Sequence, residues 1–207
     1  MRRLIVTTFL TLDGVMQAPG GPQEDERGGF AYGGWSVHYW DDLMGQVMGE
    51  AMSVPFDLLL GRRTYDIFAG YWPHAHGDIA ELFNRLPKYV ASRRTPALEW
   101  AHSTLLGPDV VAAVRELRDR HANIHVIGSL NFVQTLFAKR LFDRLNLWVY
   151  PILLGGGKKV FADGVVPTNL RLIEPVIASP NGAVQQRYAL AEGTPGVGDM
   201  SAVTQEG

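Results

Sequence analysis

Twice in this chain a short apolar run stops on a glycine and passes directly into residues at helical spacing. Phe56-Asp57-Leu58-Leu59-Leu60 meets Gly61 ahead of a helical stretch at 64–71. Ile124-His125-Val126-Ile127 meets Gly128 ahead of Phe132, Val133, Leu136 and Phe137. A strand that turns straight into a helix cannot pair with its successor through a hairpin, so such units lay their strands in parallel and pack helices on the sheet. The pattern predicts an α/β fold with a mostly parallel central sheet and helices on both faces.

The remaining segments fit this frame. Residues 4–12 read as a buried strand that stops at the turn dipeptide Asp13-Gly14, and residues 88–91 as a short strand running into Ser92. Leu145, Leu147 and Val149 alternate as a strand ending at Pro151. Leu43, Val47 and Ala51 share one face of a helix expected over 37–52, with Ser36 available as its N-cap. A short helix is expected at 79–86. After Pro108, Val110, Ala113, Val114 and Leu117 recur opposite Arg115, Glu116, Arg118 and Asp119, the pattern of a surface helix. Residues 170–176 and 184–190 read as a closing antiparallel strand pair. Residues 17–36, rich in Gly and Pro and carrying Glu24-Asp25-Glu26-Arg27, form a long loop whose Phe30 and Tyr32 suit a lid.

A length of 207 residues fits one domain, expected over 1–193, followed by a tail at 194–207 with little to bury. With 46% hydrophobic and 19% charged residues and a net charge of -2, nothing in the bulk charge courts nucleic acid. The N-terminal apolar run is too short for a secretory signal or a bilayer span, so a cytoplasmic protein without a membrane partner is expected. The absence of cysteine excludes disulfides, thiolate chemistry and cysteine-ligated zinc. Among the six histidines (His38, His74, His76, His102, His121 and His125), His74 and His76 have i, i+2 spacing in a loop. No third ligand lies near them in sequence, and no metal site is expected.

Ligands of open α/β sheets sit outside the carboxyl ends of the strands, where helix N-termini present unpaired amides. Three junctions have suitable residues. At the first, Gly61 permits close approach, Thr64 offers a hydroxyl, and Arg62 or Arg63 can pair with phosphate; a capped helix with solvated arginines explains the same residues equally well. At the second, Ser92, Arg93, Arg94 and Thr95 suit the 2′-phosphate that separates NADPH from NADH, or else form a solvated charge pair. At the third, Gly128, Ser129, Leu130 and Asn131 offer backbone amides to a pyrophosphate, although glycine at such turns is also common for steric reasons.

The combination becomes specific when Asp143-Arg144-Leu145, the segment from Tyr150-Pro151 through Gly155-Gly156-Gly157, and Phe161 are added. In the order Leu12-Asp13-Gly14, Gly61-Arg62-Arg63-Thr64, Gly128-Ser129, then Pro151 to Phe161, the chain resembles the C-terminal reductase domain of bacterial riboflavin-biosynthesis proteins. That family belongs to the dihydrofolate-reductase-like superfamily, and the resemblance covers about residues 3 to 191. The stand-alone branch of the family is expected, since the zinc deaminase domain of the bifunctional proteins has no counterpart in these 207 residues.

The resemblance implies NADPH as cofactor. The turn at Gly61 to Thr64 would contact its phosphates, Ser92, Arg93 and Arg94 its 2′-phosphate, and Gly128, Ser129, Leu130, Asn131 and Phe132 its pyrophosphate. Gly155, Gly156 and Gly157 would approach the nicotinamide ribose; a plain hairpin or bulge is the other use of such a triplet. The implied reaction is hydride transfer to a C=N bond, or reduction of a ribosylamino to a ribitylamino group, in a small heterocyclic substrate. Dihydrofolate reductases place a carboxylate on their first long helix, which points to Asp42, with Asp41 in reserve, as the group supporting protonation. An exposed acid pair stabilised by the helix dipole is the alternative. Phe9, Asp13, Trp35, Trp40 and Trp72 are the expected pocket residues, with core packing the other use of the aromatics. By the same resemblance a homodimer is expected. A nucleotide-binding or sensing protein without catalysis, and a true dihydrofolate reductase, are the competing functions; against the latter, Gly128-Ser129 stands where those enzymes carry paired glycines.

Overall fold

The computed structural model describes residues 3–120, 123–161, 163 and 165–199. His121 and the end of the expected tail, residues 200–207, lie outside the described residues.

The sheet holds nine strands among the described residues: β1 (Arg3–Thr11), β2 (Asp57–Gly61), β3 (Lys88–Ala91), β4 (Ser103–Leu105), β5 (Asn123–Val126), β6 (Arg144–Tyr150), β7 (Leu170–Leu172), β8 (Ile177–Ala178) and β9 (Val184–Leu190). Their order is β4-β3-β2-β5-β1-β6-β9-β7, with β8 pairing β9 off this path. The pairs from β4 to β6 are all parallel, and β9 runs antiparallel to β6, β7 and β8. This is the mostly parallel, doubly covered sheet with an antiparallel edge that the sequence predicts.

The helices are α1 (Asp42–Met52), α2 (Arg62–Tyr71), α3 (Asp78–Arg85), α4 (Val110–Arg120) and α5 (Leu130–Ala138). Val114 and Leu117 of α4 and Phe132, Val133, Leu136 and Phe137 of α5 pack on Leu4, Val6, Leu59, Ile124, Val126, Leu145 and Leu147. On the opposite face α1 packs through Met44 and Val47 with Trp35, Trp148 and Tyr150. Tyr65 of α2 and Phe83 of α3 pack there with Leu58, Leu60, Val90 and Trp100. The unbroken run Leu58-Leu59-Leu60 follows from this two-sided cover: Leu59 serves one core and its neighbours the other, and each fully buried side chain contributes roughly 1.5–3 kcal/mol.

Several boundaries differ from expectation. The helix predicted from Val37 starts at Asp42, because the Asp41 carboxylate accepts the Met44 amide at 2.9 Å and caps it. Val37–Tyr39 is a separate 3-10 turn, and the Ser36 side chain caps nothing; its hydroxyl donates to Pro19 O at 2.8 Å. Helix α2 opens immediately after Gly61, two residues before Thr64. The expected strand over 170–176 forms its ladder with β9 at Leu170–Leu172, followed by one bond from the Ile173 amide to Arg187 O at 3.0 Å. Strand β4, three residues with little apolar content, has no periodic signal to announce it.

Candidate active site

The two cores on the α1–α3 face do not meet. Between them lies a cavity of about 640 Å³, walled by Phe9, Trp40, Met48, Met52, Phe68, Trp72, Phe83 and Trp148. Its floor is the middle of the sheet, where Thr7, His125, Asn146 and Gln185 face inward at positions whose strand neighbours are Val6, Val126 and Leu145, all buried in the opposite core. Asn146 Nδ2 lies 3.4 Å from the Thr7 hydroxyl. The His125 ring stacks on Phe56 at 4.1 Å, and burial lowers its pKa to about 4, so the imidazole is neutral at pH 7. None of these four floor residues stands out in the sequence as a motif. The available signal was a polar residue at an inward position of a strand otherwise built from Val, Ile and Leu.

At the rim, the first and third junctions touch. The Gly61 amide donates to Gly128 O at 2.9 Å, and a Cβ on Gly61 would stand 2.1 Å from Ser129 Oγ and 2.8 Å from Ser129 N. Gly128 has φ +154°, its peptide bond to Ser129 is cis, and a Cβ there would stand 2.5 Å from the Thr64 hydroxyl. No side chain caps α2 at Gly61 or α5 at Ser129. Two uncapped helix N-termini therefore converge, the glycines letting the two turns close on each other, and Arg63, Thr64, Ser129, Leu130 and Asn131 all line the cavity. This donor set fits the pyrophosphate of a dinucleotide. Phe132 is instead a core residue, packed beneath Gly61.

The second junction lies on the far side of α2. Arg94 and Thr95 border a groove shared with Arg62, which is paired to Asp66 at 2.5 Å. The Arg94 amide donates to Ser92 Oγ at 3.1 Å, and Arg93 is exposed.

The loop over 17–36 folds across the cavity. Gln17 Nε2 donates to the carbonyls of Asp25 and Arg27 at 2.9 Å each, and its Oε1 accepts the Lys158 amide at 3.0 Å. Asp25 pairs with Lys158 at 2.5 Å and with Arg63 at 3.6 Å, which ties the loop to both rims. Glu24 also lines the cavity; burial raises its pKa against the opposing pull of the Gly20 and Gly21 amides at 2.6 and 3.2 Å. Sequence reading gave these loop charges no site role.

Gly155, Gly156 and Gly157 are exposed and stand outside the cavity wall, which Lys158 joins. Asp13 fixes that turn by accepting the Leu154 and Gly155 amides at 3.2 and 2.8 Å. Its pKa is lowered first by the Thr11 hydroxyl and then by these amides.

Of the expected pocket residues, Phe9, Trp40 and Trp72 line the cavity. Trp35 is in the core, edge-on to Tyr150 at 5.2 Å. Neither helix acid reaches the cavity: Asp42 is exposed, and Asp41 caps α1 while accepting from the Ser179 hydroxyl and the Asn181 amide. The residues that α1 turns toward the cavity are Met48, Ala51 and Met52.

Comparison with known proteins yields a match to the RibD C-terminal domain over residues 2–179. An uncharacterized protein of Bacillus subtilis (strain 168), YyaP, is 24% identical over 193 residues, 90% of this chain and 94% of that one. Among solved structures, a candidate riboflavin biosynthesis protein of Shewanella sp. PV-4 superposes with a TM-score of 0.67 at 20% identity, covering 92% of this chain and 99% of the other. Dihydrofolate reductase of Enterococcus faecalis, solved with NADP(H) and RAB-propyl, gives 0.58 at 12% identity over 92% and 97%. These structural likenesses establish a dihydrofolate-reductase-like fold.

Proposed function

From the chain's membership of the RibD C-terminal domain family, we propose that it is an NADPH-dependent reductase acting on a small, flat heterocycle of the ribosylamino-pyrimidine kind. The observation that carries this reading is the contact between the Gly61 and Gly128 turns at the rim of an apolar-walled cavity. Bound there, NADPH supplies the hydride, and the protein's part is position and electrostatics. The uncapped amides of α2 and α5, with Thr64 and Arg63, hold the pyrophosphate; Arg94 and Arg62 in the groove behind α2 take the 2′-phosphate. The cavity walls offer aromatic faces for stacking and keep water from the reacting carbon. Glu24 stands in the cavity wall, where burial raises its pKa against the pull of the Gly20 and Gly21 amides, and it replaces the exposed Asp42 as the candidate acid.

The test is an NADPH and NADH titration followed by oxidation assays with a ribosylaminopyrimidine and with dihydrofolate. Saturable binding that favours NADPH, with turnover of the ribosylaminopyrimidine, is expected; no NADPH binding refutes the proposal. Because neither Asp41 nor Asp42 lines the cavity, a nucleotide-binding protein without catalysis is the second reading, and tight binding without turnover of either substrate would select it.

A further inference from the structure

Three buried polar atoms beside the cavity have no hydrogen-bond partner among the described residues: Asn146 Oδ1, Gln185 Oε1 and Trp72 Nε1. Leaving such a group unpaired carries a desolvation penalty that an apolar residue of similar size would avoid. Their placement is not scattered. Asn146 on β6 and Gln185 on β9 are diagonal neighbours on one sheet face, since Trp148 stands opposite Gln185 and Asn146 opposite Arg187. Such neighbours lie about 7–8 Å apart, a gap that one ring can bridge. Asn146 turns one amide N–H to the Thr7 hydroxyl and leaves its Oδ1 without a partner, so it offers an acceptor. Gln185 is 4% exposed and likewise keeps an acceptor. Trp72 lines the cavity from the end of α2 and has only a donor to give.

We infer that Asn146 and Gln185 are specificity-determining residues that accept hydrogen bonds from the N–H edge of a flat, neutral heterocycle lying on the sheet floor, while Trp72 Nε1 donates to a ring carbonyl. Two amide oxygens call for two ring or amino donors on one edge. Among the described residues the floor carries no carboxylate: the acids that line the cavity, Glu24 and Asp25, are on the loop and already hold the Gly20 and Gly21 amides and Lys158. A protonated, cationic ring therefore finds no countercharge on the floor, and the neutral form is the one recognised. A site whose buried groups need partners discriminates strongly against an analogue that lacks them, because the penalty of the unpaired group returns.

The inference rests on the proposed function for treating the cavity as a substrate site, and its test leaves the cofactor out. The full chain is titrated with 6-aminouracil, whose ring N–H and amino group share one edge, and with 6-methyluracil, of the same shape but one donor short. Expected is a preference for the amino compound of about tenfold, falling toward parity in Asn146→Leu and in Gln185→Leu, with NADPH affinity in both kept within about twofold of wild type. Equal affinity of the two uracils for the wild-type protein, no binding of either, or an intact preference in both variants overturns it. The wild-type comparison stands even if a variant fails to fold. A parallel NADPH titration separates the two claims: loss of cofactor binding with the amino preference retained removes the reductase reading, and cofactor binding without the preference removes this one.

Discussion

Gly61→Ala probes the turn pair with a single methyl group. Gly61 has φ -68° and ψ 148°, a conformation alanine adopts freely, so any cost is tertiary rather than backbone strain. The new Cβ would stand 2.1 Å from Ser129 Oγ, 2.8 Å from Ser129 N and 2.9 Å from Phe132 Cβ. Rotation of the hydroxyl removes the first clash and leaves the other two, so the first turn of α5 must retreat by about half an ångström to restore van der Waals contact. That retreat stretches the Gly61 amide to Gly128 O bond from 2.9 Å. Overpacking of this kind costs roughly 1–3 kcal/mol, offset by up to about 1 kcal/mol from the stiffer unfolded chain. At roughly 2–4 °C per kcal/mol for a domain of this size, a net cost of up to about 3 kcal/mol appears in calorimetry as a fall in Tm of up to about 12 °C. NADPH affinity should fall by at least about tenfold, since the displaced amides are those assigned to the pyrophosphate. Gly49→Ala on α1 is the control: nothing lies within 4 Å of its Cβ, and helix propensity alone stabilises it by up to about 1 kcal/mol. A Gly61→Ala protein with wild-type Tm and wild-type NADPH affinity refutes the reasoning.

Further outcomes follow from particular residues. His125 is held neutral with a pKa of about 4 against 6.5 for the free side chain, so below pH 6.5 the unfolded chain binds a proton that the folded chain refuses. Stability to urea is therefore lost as pH falls from 6.5 to about 4, by up to about 3 kcal/mol, and His125→Gln should flatten that slope; an unchanged slope contradicts it. Asp41→Ala should lower Tm through loss of the α1 cap and the tie to Ser179 while leaving kcat unchanged, and a collapse of kcat at constant Tm would return Asp41 to the chemistry. Arg94→Ala should erode the preference for NADPH over NADH by about tenfold without weakening NADH, and equal losses for both cofactors would place the 2′-phosphate elsewhere.

The architecture was legible because it rests on local signals. Leu58-Leu59-Leu60 before Gly61 and the run from Ile124 before Gly128 announce strands that turn into helices, and parallel pairing follows from the connection. The start of α1 was misplaced because Ser36 and Asp41 are both competent caps, and only the Met44 amide decides between them. The turn glycines were legible as residues with a steric purpose, whereas their mutual contact required the β2–β5 pairing. The cavity floor was illegible for the opposite reason. Thr7, His125, Asn146 and Gln185 come from four strands and no motif spans them; each is a polar residue facing inward, and its meaning appears only once the sheet order brings them together. Glu24 and Asp25 belong to a loop whose aromatic residues suit a lid, but nothing local announces that Asp25 meets Lys158, 133 residues away.

The most direct test is a backbone amide NMR titration of the full chain with NADPH. Saturable shifts at Gly61, Thr64, Gly128, Ser129, Leu130 and Asn131, from two turns remote in sequence and adjacent in the fold, are expected with a single affinity. Absence of saturable shifts, or shifts confined to one turn, contradicts a dinucleotide held between them.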